Sequence, residues 1–343
     1  MNTGTDLLTI DGSYGEGGGQ VIRTSVALSA ITGRPIQVIN LRAGRATPGL
    51  KTQHVVSVKS AAELCAAEVQ GGHRGSMELS FTPTHPVKAG RYRFEIETAG
   101  ATTLVAQTVF VPLALAEGES EVTITGGTHC NFAPSADFFE QVFLRAMASA
   151  GIRTEFEIVR FGFVPGGKGE VTFTIQGGVP IRGLDLSRRG RLKQASARVI
   201  VSKHLPEMVA ARGKRELQRL TDLTPHVFSV DSVTPGAASH VACEFDDGFA
   251  GFVGLGERGK PMEKVVAECG DGYRALLKTD ASTDEHLADQ LVLPLAFADG
   301  PSKWITPNVT EHLRTVIWVV KQFYGREITL EERDDRSGIV TIA

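Results

Sequence analysis

Leu104-Val-Ala-Gln107-Thr-Val-Phe-Val-Pro112-Leu-Ala-Leu-Ala116 returns late in the chain as Leu287-Ala-Asp-Gln290-Leu-Val-Leu-Pro294-Leu-Ala-Phe-Ala298. Both read Leu-x-x-Gln and then a Pro-Leu-Ala-x-Ala tail, offset by one residue. A third helix candidate, opening Gln20-Val-Ile-Arg23, has similar apolar spacing. Each is followed by a short β-prone run (35–41, 121–125 and 303–306) and then by a second amphipathic helix at about 49–69, 135–150 and 309–323. Segments rich in Val, Thr, Phe and Ile at 77–82, 91–97, 153–160, 170–175 and 327–332 read as strands. One Leu- and Ala-rich helix resembling another means little. The same downstream order three times predicts an α+β fold of three tandem units, each with two helices on a four-stranded sheet.

The spacing of the units is uneven, with first helices near 20, 104 and 287. The late third unit implies an inserted α/β domain over 185–278, leaving 1–184 and 279–343 as the repeated part. The insert opens with Arg188, Arg189, Arg191, Lys193, Arg198 and Lys203 and continues through Arg212, Lys214, Arg215 and Arg219. Its basic helix reads either as a solvated face or as a contact for an RNA backbone.

Composition excludes more than it selects. The 343 residues are 42% hydrophobic and 22% charged, with a net charge of −3, so a nucleic-acid site must be a local patch. The four cysteines, Cys65, Cys130, Cys243 and Cys269, form no C-x-x-C pair, which argues against a disulfide framework or zinc site and for a reducing compartment. No apolar stretch is long enough to cross a membrane, and a cytoplasmic protein is expected. Oligomeric state is not legible.

Candidate chemistry collects at helix starts. Asp11-Gly-Ser-Tyr-Gly-Glu16-Gly-Gly-Gly-Gln20 joins a strand to a helix, so its glycines expose backbone N–H groups beside a positive helix end. Glu16, Gln20 and Arg23 lie around that turn, which fits neither a Walker loop nor a clean G-x-G-x-x-G. In Asn308-Val-Thr310-Glu311-His312, either Asn308 or Thr310 caps a helix whose core face is Leu313, Val316, Ile317 and Val320. His312 then sits in the first turn, where the helix dipole favours neutral imidazole. Ser282 and Glu285 have capping-box spacing before Asp289 and Gln290. Arg42-Ala-Gly-Arg45, ahead of Gln53-His54, offers two guanidiniums to an anion. His129-Cys130 is a poor Cys–His pair, because neighbours on an extended chain point oppositely. No H-x-x-x-H spacing suggests a metal cage.

Together these segments resemble the RNA 3′-terminal phosphate cyclase family over essentially the full length. The motifs carrying the resemblance are Asp11–Arg23, Arg42–Leu50 with Gln53-His54, Gly126-Gly-Thr128 with Ala133-Pro134, His286–Gln290 and Thr310–Thr315. It implies three repeats like the C-terminal domain of a translation initiation factor, plus a small inserted domain. It also implies an ATP-dependent reaction in which His312 becomes adenylylated, AMP passes to an RNA 3′-phosphate, and the 2′-hydroxyl closes a 2′,3′-cyclic phosphate. On the family's pattern Gln107, His286, Leu287, Ala288, Asp289 and Gln290 line the nucleotide pocket, and Arg23, Arg45 and Gln53 hold phosphates or the RNA end. Glu16 helps hold Mg²⁺ or Mn²⁺ arriving with ATP.

The chain departs from that pattern at His286, where Tyr is common, and at Val316, where Asn is common. It also departs at two positions of the turn Phe161–Gly169. Two other classes compete: cyclase-like proteins without the nucleophile that act in ribosome assembly, and enolpyruvyl transferases on a related fold. Retention of His312 speaks against the first, and the Asp289-Gln290 motif has no role in the second.

Overall fold

The computed structural model describes residues 6–343. The chain begins with β1 (Leu8–Asp11), α1 (Gly19–Thr32), β2 (Ile36–Ile39), α2 (Thr52–Cys65), β3 (Glu68–Gln70) and β4 (Leu79–Thr82). These strands form a mixed sheet in the order β1-β2-β4-β3, its first pair parallel and the others antiparallel. Next come β5 (Arg91–Glu95), α3 (Thr102–Leu115), β6 (Gly118–Gly126), α4 (Ala136–Phe138), α5 (Leu144–Ser149), β7 (Thr154–Arg160) and β8 (Gly169–Gly177). They form a second sheet, β5-β6-β8-β7, again with only the first pair parallel.

After β9 (Asp185–Leu186) the chain leaves to build β10 (Leu192–Ser202), α6 (Glu207–Thr221), β11 (His226–Val230), β12 (Ala237–Phe245), β13 (Gly248–Leu255) and α7 (Met262–Leu277). This fourth sheet has its own order, β11-β10-β12-β13. The chain returns through α8 (Glu285–Gln290), α9 (Val292–Ala296), β14 (Ser302–Thr306), α10 (Glu311–Phe323), β15 (Ile328–Glu332) and β16 (Gly338–Ile342). Here β9 pairs in parallel with β14, and β16 lies antiparallel between β14 and β15. Three sheets therefore share one order and one sense, and the fourth is interposed between β9 and α8.

Local physics explains the main elements. α3 is apolar on every side and almost wholly buried, as a helix in the middle of a core must be. α1 packs against α2, α3 and α10, and its chain reverses at Gly33, whose φ of +71° suits glycine. Between α4 and α5 the helix widens: Leu144 N–H donates to Phe139 O, five residues back. The extra residue turns Phe139, Val142 and Phe143 all toward the core, where Phe110 meets Phe139 and Phe143 edge-on. One hydrophobic core joins the helices and sheets of the three like units; a second, around Val199, Val241, Val266 and Tyr273, belongs to the interposed sheet with α6 and α7. No helix among the described residues is long and apolar enough to cross a membrane. All four cysteines are free and buried.

Candidate active site

The turn from β1 into α1 is fastened to α10. Asp11 Oδ1 accepts from Ser13 N–H at 2.9 Å and Ser13 Oγ at 2.7 Å, which folds the turn back on its strand. The Tyr14 ring stacks on Trp318 with centroids 3.9 Å apart. Gly15 has a φ of +59°, and a Cβ there would lie 2.3 Å from Thr315 Oγ1, so only glycine lets the turn approach α10 this closely.

That approach delivers Glu16 and Gln20 to His312. Thr310 is the cap of α10, its hydroxyl accepting from Leu313 N–H at 3.1 Å, and His312 projects from the first turn. Asn308, the other cap candidate, instead donates to Glu285 Oε2 at 2.9 Å. His312 Nδ1 is hydrogen-bonded to Gln20 Oε1, and His312 Nε2 lies 3.2 Å from Glu16 Oε2. With Gln20 accepting the Nδ1 proton, the neutral ring carries its lone pair on Nε2. Burial lowers the His312 pKa; Glu16 opposes this, while Arg23, His286 and Arg45 add to it. Burial and the neighbouring cations thus favour the neutral imidazole, while the Glu16 carboxylate beside Nε2 favours any positive charge the ring takes on.

α1 begins beside this pair. Its cap is Gly18, which has no side chain to satisfy the first amides, and the first turn holds no acid. An uncapped N-terminus of a fourteen-residue helix, with Arg23 one turn in, suits an anion. Arg45 reaches the same place and pairs with Glu16 at 2.8 Å. Of the two expected guanidiniums only Arg45 is presented there. Arg42 is buried and donates to the carbonyls of Thr47 at 2.7 Å and Gly49 at 2.8 Å, so it shapes the loop instead. Gly19 packs so closely that a Cβ would lie 2.3 Å from His54 Nε2 and 2.7 Å from Arg23 Nη1. Burial, reinforced by Arg23, Arg42 and Lys51, depresses His54 to about 3, so it stays neutral among these cations.

A cleft of about 1080 Å³ opens next to His312. Gln20, Arg23, Gln107, Asp289 and Gln290 line one side, and Phe252, Leu255, Glu257 and Lys260 of the interposed unit line the other. Burial pushes the Asp289 carboxyl up to about 7, against the pull of His286 and Arg23. The same burial lowers Arg23 to about 10, with Asp289 opposing. Gln107 Nε2 and Gln290 Oε1 are buried without a hydrogen-bond partner among the described residues. An unpaired amide donor and an unpaired acceptor on one cleft await a ligand that carries the complementary groups.

Most of the residues singled out in the sequence meet here: Glu16, Gln20, Arg23, Arg45, Gln107, His286, Asp289, Gln290 and His312. Leu287 and Ala288 do not, for both are completely buried in the main core. Gln53 lies at the start of α2 near Gly100, outside the cleft lining. The cap of α8 is Asp284 rather than Ser282: its Oδ1 accepts from the amides of His286 at 2.8 Å and Leu287 at 2.9 Å, and its Oδ2 accepts from Gly251 N–H at 2.9 Å. Ser282 bonds to β14 through Ile305. The signal for Asp284 was its residue type directly before the helix, and its bond to β13 had none. His129 and Cys130 point apart, to Asp137 at 2.8 Å and to the Ala99 carbonyl at 3.0 Å. In the basic opening of the insert, Arg189 donates to the carbonyls of Leu276 and Ala281, so it holds the unit together rather than facing solvent.

Glu16 is the carboxylate nearest His312, and no group of three or more His, Cys, Asp or Glu side chains suited to a metal occurs among the described residues. One carboxylate completed by ligand phosphates fits Mg²⁺ or Mn²⁺, whereas a permanent protein cage does not.

Comparison with known proteins identifies the family. The family model described as RNA 3′-terminal phosphate cyclase matches residues 14–330. Proteins of that name are similar across nearly their full length. The one from Gloeothece citriformis is 39% identical over 339 residues, covering 96% of this chain and 97% of its own. The one from Methylococcus capsulatus is 40% identical over 349 residues, covering 98% and 96%. The one from Pyrobaculum neutrophilum is 39% identical over 334 residues, covering 95% and 96%. The enolpyruvyl transferase NikO from Streptomyces tendae aligns with 98% of this chain and 48% of its own, at 9% identity and a TM-score of 0.39, too low to carry an argument. With a family match over residues 14–330 and relatives near 39% identity end to end, the chain belongs to the RNA 3′-terminal phosphate cyclase family.

Proposed function

We propose that the protein is an ATP-dependent ligase that converts an RNA 3′-phosphate into a 2′,3′-cyclic phosphate through a His312–AMP intermediate and an RNA(3′)pp(5′)A intermediate. The observation that carries this reading is His312 itself: neutral, its Nδ1 held by Gln20, its Nε2 turned to a carboxylate and an uncapped helix end. In the first step the Nε2 lone pair attacks the α-phosphorus of ATP, the bond to the β-phosphate breaks, and pyrophosphate leaves. A 3′-phosphate oxygen of RNA then attacks the same phosphorus and breaks the P–N bond. Finally the vicinal 2′-hydroxyl attacks the RNA phosphate and expels AMP. Splitting one dehydration this way is covalent catalysis, and the N-terminus of α1 with Arg23 and Arg45 stabilises the phosphoryl charge.

The orphan amides of Gln107 and Gln290 suit the hydrogen-bonding edge of adenine. Arg23, Arg45 and Gln53 are read as the RNA-end group, with His286 and Asp289 at the nucleotide. Leu287 and Ala288 serve by shaping α8 from the core. Mg²⁺ or Mn²⁺, held by Glu16 and the ligand phosphates, would neutralise charge on the leaving pyrophosphate. We further read the three like sheets as copies of one unit, of the kind in the C-terminal domain of a translation initiation factor. The repeats occupy 1–184 and 279–343 with 185–278 inserted; the pairing of Asp185 and Leu186 with β14 favours moving the first boundary to 187. A cytoplasmic location fits the four free thiols.

The test is incubation with Mg²⁺ and ATP labelled at the α-phosphate, beside His312→Ala. Protein-bound label that survives alkali but not acid, and is absent from the variant, is the expected result. Absence of label on both proteins would withdraw the assignment in favour of a non-catalytic, RNA-binding or assembly role.

A further inference from the structure

Residues 130–134 cross one wall of the cleft on three anchors. Cys130 Sγ donates to Ala99 O at 3.0 Å, Asn131 Nδ2 to Glu257 Oε1 at 3.2 Å, and Thr103 Oγ1 to Pro134 O at 2.7 Å. Between them Phe132 stands fully exposed, at 103% of its reference accessibility, with a φ of +62°. Both features are unfavourable. An apolar ring in water forgoes burial, and a bulky L-residue in the left-handed region is strained where Asn or Gly would not be. No aromatic partner among the described residues compensates. The ring nevertheless lines the same cleft as His286 and His312. Strain and exposure held in place by three anchors, at the edge of a phosphate-handling site, point to a ligand that uses the ring face.

We propose that Phe132 is the stacking platform for the 3′-terminal nucleobase of the RNA, an assignment that rests on the RNA reading above. The ring has a face and no polar atom, so it can grip any base without reading its edge. That suits an end-modifying site. The adenine of ATP is the other source of a nucleobase, but the buried orphan amides of Gln107 and Gln290 address an edge, deeper in the cleft. A base laid on Phe132 would leave its 3′-phosphate free to reach Arg23 and His312.

The test uses the full-length protein without ATP and a 5′-fluorescent, 3′-phosphorylated RNA oligonucleotide, read by anisotropy. A second oligonucleotide carries an abasic 3′-terminal residue. Phe132→Ala is expected to weaken binding of the intact RNA about tenfold, Phe132→Trp to restore it, and the abasic RNA to bind wild type and Phe132→Ala equally. Equal binding of the intact RNA by wild type and Phe132→Ala overturns the proposal, as does a loss of the same size with the abasic RNA. Labelling of His312 from ATP should be unchanged in Phe132→Ala; a raised ATP requirement assigns the ring to adenine and also overturns it. If wild type takes no label while the base-dependent difference persists, the stacking role stands and the ligase reading falls.

Discussion

With its carboxyl pushed up to about 7, Asp289 binds a proton in the folded chain at pH values where the unfolded chain has already released it. A raised carboxyl pKa has a definite sign: between about 4 and 7 the native state holds more protons, so stability falls as pH rises through that window. Asp289→Asn removes the penalty. Its melting temperature should exceed wild type by roughly 2 °C at pH 8 and match it near pH 5, since Arg23 returns part of the difference. Thermal melts at the two pH values check this, and an equal offset at both would show that Asp289 ionises normally. A carboxyl kept where it destabilises the empty protein is the mark of a group retained for its ligand.

At the scale of elements, the start of α1 is poised between stability and binding. Gly18 is extended (φ −92°), a conformation any residue adopts, and the nearest atom to a Cβ there is the mobile end of Arg45, 3.2 Å away. Gly18→Asp should cap α1, add roughly a few tenths of a kcal/mol of stability, and weaken binding of phosphate-bearing ligands about tenfold or more by occupying the same amides and Arg45. A rise in Tm together with a rise in the ATP concentration needed for half-maximal labelling checks it; a variant that is stabilised with ATP handling unchanged would remove α1 from the phosphate site. This end was legible because glycines between an apolar strand and a helical stripe have few other uses. The core face of α10 was equally legible, since Leu313, Val316, Ile317 and Val320 repeat at helical spacing and are buried. The cap of α8 was misread because Asp284 also bonds to Gly251, a contact set by tertiary packing. Arg42 and Arg45 look alike along the chain, and only the loop path decides which guanidinium turns inward. β9 has two residues, too few to show a period.

At the scale of the whole molecule, the interposed unit is tied to the second sheet's helices through charge. Asp137, almost fully buried, accepts from His129 Nε2 at 2.8 Å and from Arg198 Nη1 at 2.7 Å, and Arg198 also reaches Glu140 at 3.0 Å. Arg145 pairs with Glu244 across the same seam at 2.7 Å. Asp137 has its pKa lowered: burial raises it, but the bonds from His129 and the charges around it prevail. Arg198→Ala leaves a buried carboxylate with one partner fewer. A loss of about 2 kcal/mol is expected, less than for a fully buried pair because Arg198 is partly exposed. Since this seam holds one wall of the cleft, limited proteolysis in residues 187–191 should quicken and the ATP requirement for labelling should rise. Unchanged proteolysis would mean the seam is held by packing alone.

The two ends of the interposed unit both abut β14: Leu186 pairs with Trp304, and Ser282 N–H donates to the carbonyl of the next residue, Ile305, at 2.9 Å. The polypeptide thus departs and comes home through adjoining doorways on a single strand. A guest segment of any length that begins and ends side by side can be lodged there without redrawing the host's strand connections, so this junction is a natural port for exchanging cleft walls while the surroundings of His312 on α1 and α10 stay untouched.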